Sequence, residues 1–367
     1  MYKEKYERPK YGQPGAATEE RKMMFSSETV LMPKLDYPIS VRENFRRAAW
    51  RDNPMWIPNA TTDMDTLMGD IPGNTFGTEG MISSDTSFTY KDKFGVDWTY
   101  VPVAGGSMLT PGTQFMDDIT EWESKVKFPE MTVEEWRPAA EAYNARRDPE
   151  KVLNFNIGQG CTERLVALLG GYTDGMVALA MEPEAVKDFF YRFVEYMISM
   201  VDAACELYPV DMISYHDDWG TERDTFFSPA MMEDIVFDPT KVLFDHIKSK
   251  GLVLQLHSCG KIERFVPYMI DLGVDFMQIQ RRANDIPMLK EKYGDKIGFN
   301  TGVEGLPTDR EPTEEDVIEA VRHSVELYGK GGGIYTSVFV QDPALAWTGV
   351  EELFWYSREY YEREQGR

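Results

Sequence analysis

Two residues with metal-binding side chains, His257 and Cys259, lie two positions apart in a segment with the pattern of a strand. Alternate residues of a strand share one face, so we expect the imidazole and the thiol on the same side of the chain. Imidazole nitrogen and thiolate sulfur suit Zn²⁺, but a catalytic zinc site needs a third protein donor. Other predicted strand ends offer candidates for that donor: Cys161, Asp217, Asp218 and Glu304. Without it, the pair is a buried cysteine beside a hydrogen-bonded histidine.

A second polar group ends the preceding predicted strand, residues 211–218, and contains Tyr215, His216, Asp217 and Asp218. Adjacent carboxylates repel when both are ionised, so one of them can have a raised pKa and act as a general acid. Successive strand residues point to opposite faces, so we expect one carboxylate in the pocket and the other in a turn or bound to Arg223. We predict Asp217 as the catalytic acid, with His216 and Tyr215 as further proton donors.

Further side chains near predicted strand ends are candidates for substrate binding: Trp56, Asn59, Trp219, Phe227, Gln280 and Arg281. Arg281 could hold a substrate carboxylate through two parallel hydrogen bonds, although a solvated surface charge is the alternative. Trp56, Trp219 and Phe227 could shape a flat apolar pocket for an aryl group, although such aromatic residues are also typical of a core.

The elements that position these residues are apolar runs alternating with stretches of helical periodicity. The predicted strands are 55–60, less clearly 98–104, then 152–157, 211–218, 252–257, 274–280, 297–302 and 332–340. The predicted helices are 183–208, 229–250, 261–272, 284–293, 313–329 and 348–364. Strands that are apolar throughout and alternate with helices predict a parallel sheet.

About eight such strands predict an α/β fold, the (β/α)₈ or TIM barrel, in which chemistry is placed where the strands end. A doubly wound open sheet is the alternative, and it is less favoured because no strand is followed by a glycine-rich phosphate-binding motif. We expect one barrel domain over residues 37–367, preceded by an N-terminal arm over residues 1–36.

The composition limits the classes of binding partner and the cellular compartment that we expect for the protein. A formal net charge of −23, without a dense cluster of lysine and arginine, argues against nucleic acid and anionic membrane surfaces as partners. No apolar run reaches the roughly 18 residues of a membrane span. Three cysteines without CxxC or disulfide spacing, and a charged N-terminus without a signal-peptide pattern, predict a cytoplasmic protein. A homodimer is compatible with the sequence, which does not specify the oligomeric state.

Several short phrases resemble the uroporphyrinogen decarboxylase superfamily, and more narrowly its methyltransferase-like, corrinoid-dependent branch. The phrases are Phe94-Gly95-Val96-Asp97-Trp98, Asp217-Asp218-Trp219-Gly220, Phe227-Ser228-Pro229, His257-Ser258-Cys259-Gly260 and Leu272-Gly273-Val274-Asp275, with Gln280 after the next strand. The similarity covers about residues 40–345. Its phrases are specific to the superfamily and less specific to one reaction.

The resemblance implies a methyltransferase that moves a methyl group between a small donor or thiol acceptor and a separate corrinoid protein. In that branch an H-x-C pair and a later cysteine hold zinc. His257 and Cys259 match the pair, but no cysteine follows Cys259. Either Glu304 or an acidic residue at a strand end completes the zinc site, or the site works by acid catalysis through Asp217. We expect demethylation of a small methylated compound, such as an aryl methyl ether.

Two other functions stay open. The first is decarboxylation of a porphyrinogen or another carboxylated substrate, with Asp217 polarising the ring and Arg281 or Arg282 binding acid groups. True uroporphyrinogen decarboxylases carry an early arginine-rich segment, whereas the corresponding stretch here, Pro54–Ala60, is not followed by arginines. That departure and the net negative charge disfavour a polyanionic substrate. The second is a catalytically lapsed barrel that binds a small ligand or a corrinoid protein.

Overall fold

The computed structural model describes residues 11–14, 18–22, 29–69, 74, 76–79 and 82–366. The strands are β1 (Thr18–Lys22), β2 (Thr29–Pro33), β3 (Met64–Met68), β4 (Thr78–Glu79), β5 (Phe88–Lys91), β6 (Asp97–Val101), β7 (Gly106–Leu109), β8 (Val152–Ile157), β9 (Met212–His216), β10 (Val253–Ser258), β11 (Phe276–Ile279), β12 (Gly298–Gly302) and β13 (Ile334–Ser337).

The helices of the described residues surround the largest sheet or cover its ends. They are α1 (Val41–Trp50), α2 (Ala60–Asp63), α3 (Trp122–Lys125), α4 (Val133–Arg146), α5 (Cys161–Leu168), α6 (Tyr172–Met181), α7 (Pro183–Leu207), α8 (Pro229–Met231), α9 (Phe237–Ser249), α10 (Val266–Asp271), α11 (Ile286–Tyr293), α12 (Glu314–Tyr328) and α13 (Pro343–Glu364). A π-helical turn, Met232–Val236, joins α8 to α9.

The largest sheet is a (β/α)₈ barrel, as predicted. Seven of its strands run parallel in the order β3, β8, β9, β10, β11, β12 and β13. Asn59, just upstream of β3, forms a parallel bridge with Thr336 of β13, whose backbone N–H donates to the carbonyl of Pro58 at 3.0 Å. The two ends of the sheet therefore meet, and the segment ending at Asn59 takes the place of the first barrel strand.

The predicted strand 98–104 is wrong as a barrel strand. Its residues contribute to β6, the middle strand of a separate antiparallel sheet with β5 and β7. Burial alternates along β6, as in a sheet covered on one face, whereas a barrel strand is covered on both faces. The barrel strand that the sequence did not reveal is β3, whose Asp65 and Thr66 interrupt the apolar pattern.

Helix boundaries follow from local sequence signals. Ser228 caps α8 by accepting from the backbone of Met231, and Pro229 occupies the first helical position. Thr313 and Asp316 form a reciprocal capping box at the start of α12. No single helix in the described ranges has the length and hydropathy of a membrane span; one bent pair, α5 with α6, meets that test by length and composition alone.

Two separate cores hold the barrel. Outward-facing strand residues such as Leu153 and Phe155 pack against the surrounding helices. Inward-facing residues at the start of the strands form the second core, which Phe45 of α1 closes from below; they include Val152, Met212, Val253 and Phe276. Burial of these apolar side chains stabilises the fold by about 25 cal/mol per Å². The lower barrel is therefore a solid apolar floor, and the upper barrel is left for polar side chains.

The N-terminal arm is described in part. β1 and β2 form an antiparallel hairpin. Val30 and Met32 of β2 are buried against Ala346 and Val350 of α13. The rest of the predicted arm, residues 1–10, 15–17 and 23–28, lies outside the described residues. The domain boundary at residue 36 stays a prediction.

Candidate metal centre and active site

Asp218, His257 and Cys259 come together at the carboxyl ends of β9 and β10. Nε2 of His257 lies 3.5 Å from Sγ of Cys259 and 3.8 Å from Oδ1 of Asp218. One ligand atom from each residue lies within 4.8 Å of the other two, and all three side chains are half-buried. The register of the two strands, which pairs His216 with His257, brings the loops after them side by side.

Gln278 of β11 orients the imidazole of His257. Its Oε1 lies 3.0 Å from Nδ1 of His257, its register partner on the neighbouring strand. An amide oxygen only accepts, so Nδ1 carries the ring proton and Nε2 keeps its lone pair toward Cys259 and Asp218. Burial lowers the pKa of His257, which keeps the ring neutral at pH 7. A neutral imidazole with one nitrogen anchored and the other free is the form that binds a metal.

The loop after β10 is held in place by backbone contacts. The Cys259 N–H donates to Oδ1 of Asp218 at 2.7 Å, and the Gly260 N–H donates to Oε1 of Gln280 at 3.0 Å. Gly260 has φ +82°, and a Cβ there would collide with the backbone of Gly220. The glycines that end the two recognised phrases are therefore needed for the close approach of the loops.

The donor set fits zinc. It offers a nitrogen, a sulfur and an oxygen, the ligand types that Zn²⁺ uses in proteins. Tetrahedral coordination at the usual metal–ligand distances separates ligand atoms by about 3.3–3.8 Å, and the two spacings from Nε2 of His257 are 3.5 and 3.8 Å. Burial and the neighbouring Asp218 raise the pKa of the Cys259 thiol to about 12, so the thiol keeps its proton until a cation displaces it.

His216 covers the same end of the barrel. Its ring stacks on that of His257, with centroids 4.5 Å apart and planes 27° apart. Burial, with the nearby His257, lowers the pKa of His216 well below its usual value. The ring is therefore neutral at pH 7 and sits half-buried beside His257.

Asp217 and Tyr215, by contrast, form a buried structural network. The Asp217 carboxylate is fully buried and accepts from the Thr162 hydroxyl, from the Glu163 N–H at 2.9 Å, from Trp219 Nε1 at 3.0 Å and from the Tyr215 hydroxyl at 3.1 Å. These donors hold the first turn of α5 against β9. Burial raises the pKa of Asp217 to about 6. The carboxylate of Asp217 thus contacts the first turn of α5, whereas that of Asp218 faces His257.

Glu163, on the first turn of α5, is an acid that the sequence analysis missed. Burial, with Asp218 and Asp217 nearby, raises the pKa of its carboxyl group well above the usual value. The raised pKa favours the protonated form of the Glu163 carboxyl group, the property predicted for one of the two aspartates. The available signal was its place three residues after Gly160, at the end of an apolar strand, where barrel enzymes carry their chemistry.

The predicted aromatic pocket is part of the core. Trp56 is 1% exposed and packs on Tyr37 and Phe354, while Trp219 is fully buried. Trp219 and Phe227 both contact Phe265. Asn59 is also buried, and its side chain caps α2. These side chains shape the barrel wall and do not form an open apolar surface for an aryl group.

Glu304 and Arg281 lie away from the donor set. Arg281 Nε is 3.4 Å from Oε1 of Glu304, and Arg281 also donates to the carbonyl of Val303 at 3.0 Å. Glu304 does not belong to the group of possible metal ligands, and neither does Cys161, whose thiol is buried. Of the third donors considered from the sequence, the structure brings Asp218 to His257 and Cys259.

Comparison with known proteins identifies the family. The chain matches the family described as uroporphyrinogen decarboxylase (URO-D) over residues 74–303, more than half of its length. It belongs to the uroporphyrinogen decarboxylase family. No curated protein sequence matches it.

Solved structures are similar to this URO-D chain at low sequence identity. A methyltransferase from Methanosarcina mazei is 14% identical, covers 70% of this chain and 73% of its own, and gives a TM-score of 0.50. A B12-independent methionine synthase from Shewanella sp. W3-18-1 is 10% identical, covers 77% of this chain and 76% of its own, and gives a TM-score of 0.37. At these identities the likeness to the first structure concerns the fold.

Proposed function

We propose that this URO-D family chain is a zinc-dependent methyltransferase. It takes a methyl group from a small methylated compound and passes it to a corrinoid protein or a thiol acceptor. The observation that carries the proposal is the Asp218–His257–Cys259 group at the mouth of the barrel. The resemblance to the methyltransferase-like branch and the fold shared with a methyltransferase from Methanosarcina mazei support the same reaction class.

Asp218, His257 and Cys259 would hold the zinc, with Asp218 as the third donor where the related branch uses a later cysteine. Bound zinc would supply a Lewis acid that stabilises negative charge on an oxygen or sulfur of a substrate. Gln278 fixes the ring of His257 through its Nδ1. His216 stacks on His257 and limits the positions that a substrate can take.

Glu163 would supply the proton of the reaction. When the methyl–oxygen bond of an ether breaks, the bonding electrons stay on oxygen, and an unassisted alkoxide is a poor leaving group. The methyl group goes to the reduced cobalt of a corrinoid, which provides the electron pair for the new bond. A carboxyl group with a raised pKa, as Glu163 has, can donate its proton to the departing oxygen and release an alcohol.

Decarboxylation is less well supported by the geometry. The arginine that would bind carboxylates of a porphyrinogen, Arg281, pairs with Glu304 and is 44% exposed. Asp217, which would polarise the ring, has its carboxylate fully buried beneath α5. A polyanionic substrate would also approach a chain with a formal net charge of −23.

A methyl-transfer assay tests the proposal. The zinc-loaded chain is mixed with reduced cobalamin and a panel of methyl ethers, methylamines and methyl thioethers, and formation of methylcobalamin is followed by absorbance. We expect turnover with at least one donor class, and loss of turnover in Cys259→Ser but not in Cys205→Ser. No methyl transfer from any donor, together with carbon dioxide loss from uroporphyrinogen, would overturn it.

A further inference from the structure

Three amide oxygens on β8 or just after it have no hydrogen-bond donor among the residues that the structure describes. They are Oδ1 of Asn154, Oδ1 of Asn156 and Oε1 of Gln159, in side chains that are 6%, 8% and 6% exposed. A buried acceptor without a donor costs about 1–3 kcal/mol. Three such oxygens within residues 154–159 therefore indicate a bound molecule that supplies hydrogen-bond donors.

The two asparagines point into the barrel. Along β8 they alternate with Leu153 and Phe155, which pack outward against the helices. Nδ2 of Asn156 lies 3.8 Å from Sδ of Met68 on the neighbouring strand. A thioether sulfur accepts and cannot donate, so this contact fixes the amide with its NH₂ group toward Met68. The oxygen of Asn156 is therefore the group left for another partner.

Asn154 and Asn156 lie on the strand next to β9, the strand that leads to Asp218. Asn156 pairs in register with Ser214 of β9, two residues before His216 at the mouth. Gln159 follows β8 in the loop that leads into α5, the helix that carries Glu163. The inner wall formed by β8 therefore adjoins the strand that leads to the donor set.

A second group of polar side chains in the barrel is paired internally. Gln255 donates to the Ser214 hydroxyl at 2.9 Å and accepts from Nδ2 of Asn300 at 3.0 Å. The hydroxyl of Tyr335 donates to the same oxygen of Gln255. These four side chains satisfy one another, whereas the oxygens of Asn154, Asn156 and Gln159 have no donor among the described residues.

We infer that the substrate of this site is a small methylated compound that carries O–H or N–H groups. It donates those hydrogens to the oxygens of Asn154, Asn156 and Gln159 while its methyl group faces the mouth. Only one part of this inference, the methyl group of the substrate, rests on the proposed function. A methyl ether without a donor, such as anisole, would leave the oxygens unpaired. A carboxylate or phosphate has no hydrogen to donate to the three amide oxygens and would leave them unpaired.

Binding of defined probes to the full chain, without any methyl acceptor, tests the inference. The probes are 2-methoxyethanol, N-methylethanolamine and anisole, followed by ligand-observed NMR titration. We expect the first two to bind more tightly than anisole. Asn156→Leu, which removes the oxygen at similar volume, should weaken both polar probes about tenfold and leave anisole unchanged.

Asn156→Asp distinguishes a binding role from a structural role. It keeps an oxygen acceptor but loses the NH₂ contact with Met68, so it should keep binding of N-methylethanolamine, whereas a packing defect would weaken binding in both variants. Gln159→Leu gives a second measurement should Asn156→Leu fail to fold. The comparison of 2-methoxyethanol with N-methylethanolamine shows whether the site prefers hydroxyl or ammonium donors.

Three outcomes would overturn the inference: no binding of either polar probe, equal or tighter binding of anisole, or unchanged polar binding in both leucine variants. The first would mean that solvent alone satisfies the three oxygens. Because no methyl transfer is measured, probe binding that depends on Asn156 would stand even if the methyltransferase assay failed. Conversely, turnover without this dependence would leave the proposed function intact.

Discussion

Asp217 and Asp218 are neighbours in sequence, yet their carboxylates face opposite sides of the barrel wall. The oxygens of Asp217 are buried and accept from the first turn of α5, whereas Oδ1 of Asp218 lies 3.8 Å from Nε2 of His257. The reversal of side-chain direction between successive strand residues produces this division. One carboxylate therefore supports the fold and the other is free to serve the site.

Asparagine substitutions should separate these two roles. Asp218→Asn keeps the oxygen that accepts from the Cys259 N–H, so we expect unfolding free energy within about 1 kcal/mol of the parent chain and loss of zinc. Asp217→Asn places an NH₂ group among hydrogen-bond donors, so we expect a loss of about 2–3 kcal/mol. Urea unfolding and metal analysis on both variants check this; equal destabilisation would contradict it.

Gln278 should tune metal affinity through His257. In Gln278→Leu the Nδ1 proton loses its acceptor at 3.0 Å, and we expect zinc affinity to fall by about 10–100-fold. Gln278→Glu restores an oxygen acceptor and should bind zinc at least as tightly as the parent chain. Competition titrations with a zinc-binding dye measure both. A loss of the same size in Gln278→Glu would show that the residue acts through packing.

Zinc affinity should rise with pH across the neutral range. The pKa of the Cys259 thiol is raised to about 12, so its proton must leave when the metal binds, whereas His257, with its lowered pKa, is already neutral at pH 7. The thiol alone then contributes a tenfold gain in affinity for each unit of pH between 7 and 9. Calorimetric titrations in two buffers of different ionisation enthalpy count the released proton. A pH-independent affinity would exclude Cys259 as a ligand.

Lys290 makes stability depend on pH at the other end of the barrel. Its side chain is 9% exposed, it donates to the Gly332 carbonyl, and burial lowers its pKa to about 8. The unfolded chain holds this proton up to about pH 10.4, so the unfolded state binds more protons between the two values. Unfolding free energy should therefore rise from pH 7 to pH 9, toward a total gain of about 3 kcal/mol at higher pH.

The matched variant for this effect is Lys290→Met, which keeps the side-chain length without the charge. The unfolding free energy of the parent chain minus that of the variant should rise as pH increases from 7 to 9. A difference that stays constant across this range would show that Lys290 is not the titrating group.

Much of the fold was predictable from the sequence, because the strands and helices beyond residue 150 have strong hydrophobic patterns of different period. The shared face of His257 and Cys259 was predictable from the two-residue repeat of a strand. The choice between Asp217 and Asp218 was not, because β9 is buried on both faces and its apolar pattern does not reveal which side faces inward. The pairing of Gln278 with His257 depends on strand register, and the approach of Glu163 depends on how α5 packs.

The most direct test of the central claim is zinc content in three chains purified side by side. We predict about one zinc per parent chain, none in Cys259→Ser, and about one in Cys205→Ser, whose half-buried thiol on α7 controls for loss of a cysteine. Loss of zinc confined to Cys259→Ser would identify the thiol as a ligand. Equal zinc in all three chains, or none in any of them after incubation with zinc, would contradict the metal centre on which the proposed methyl transfer depends.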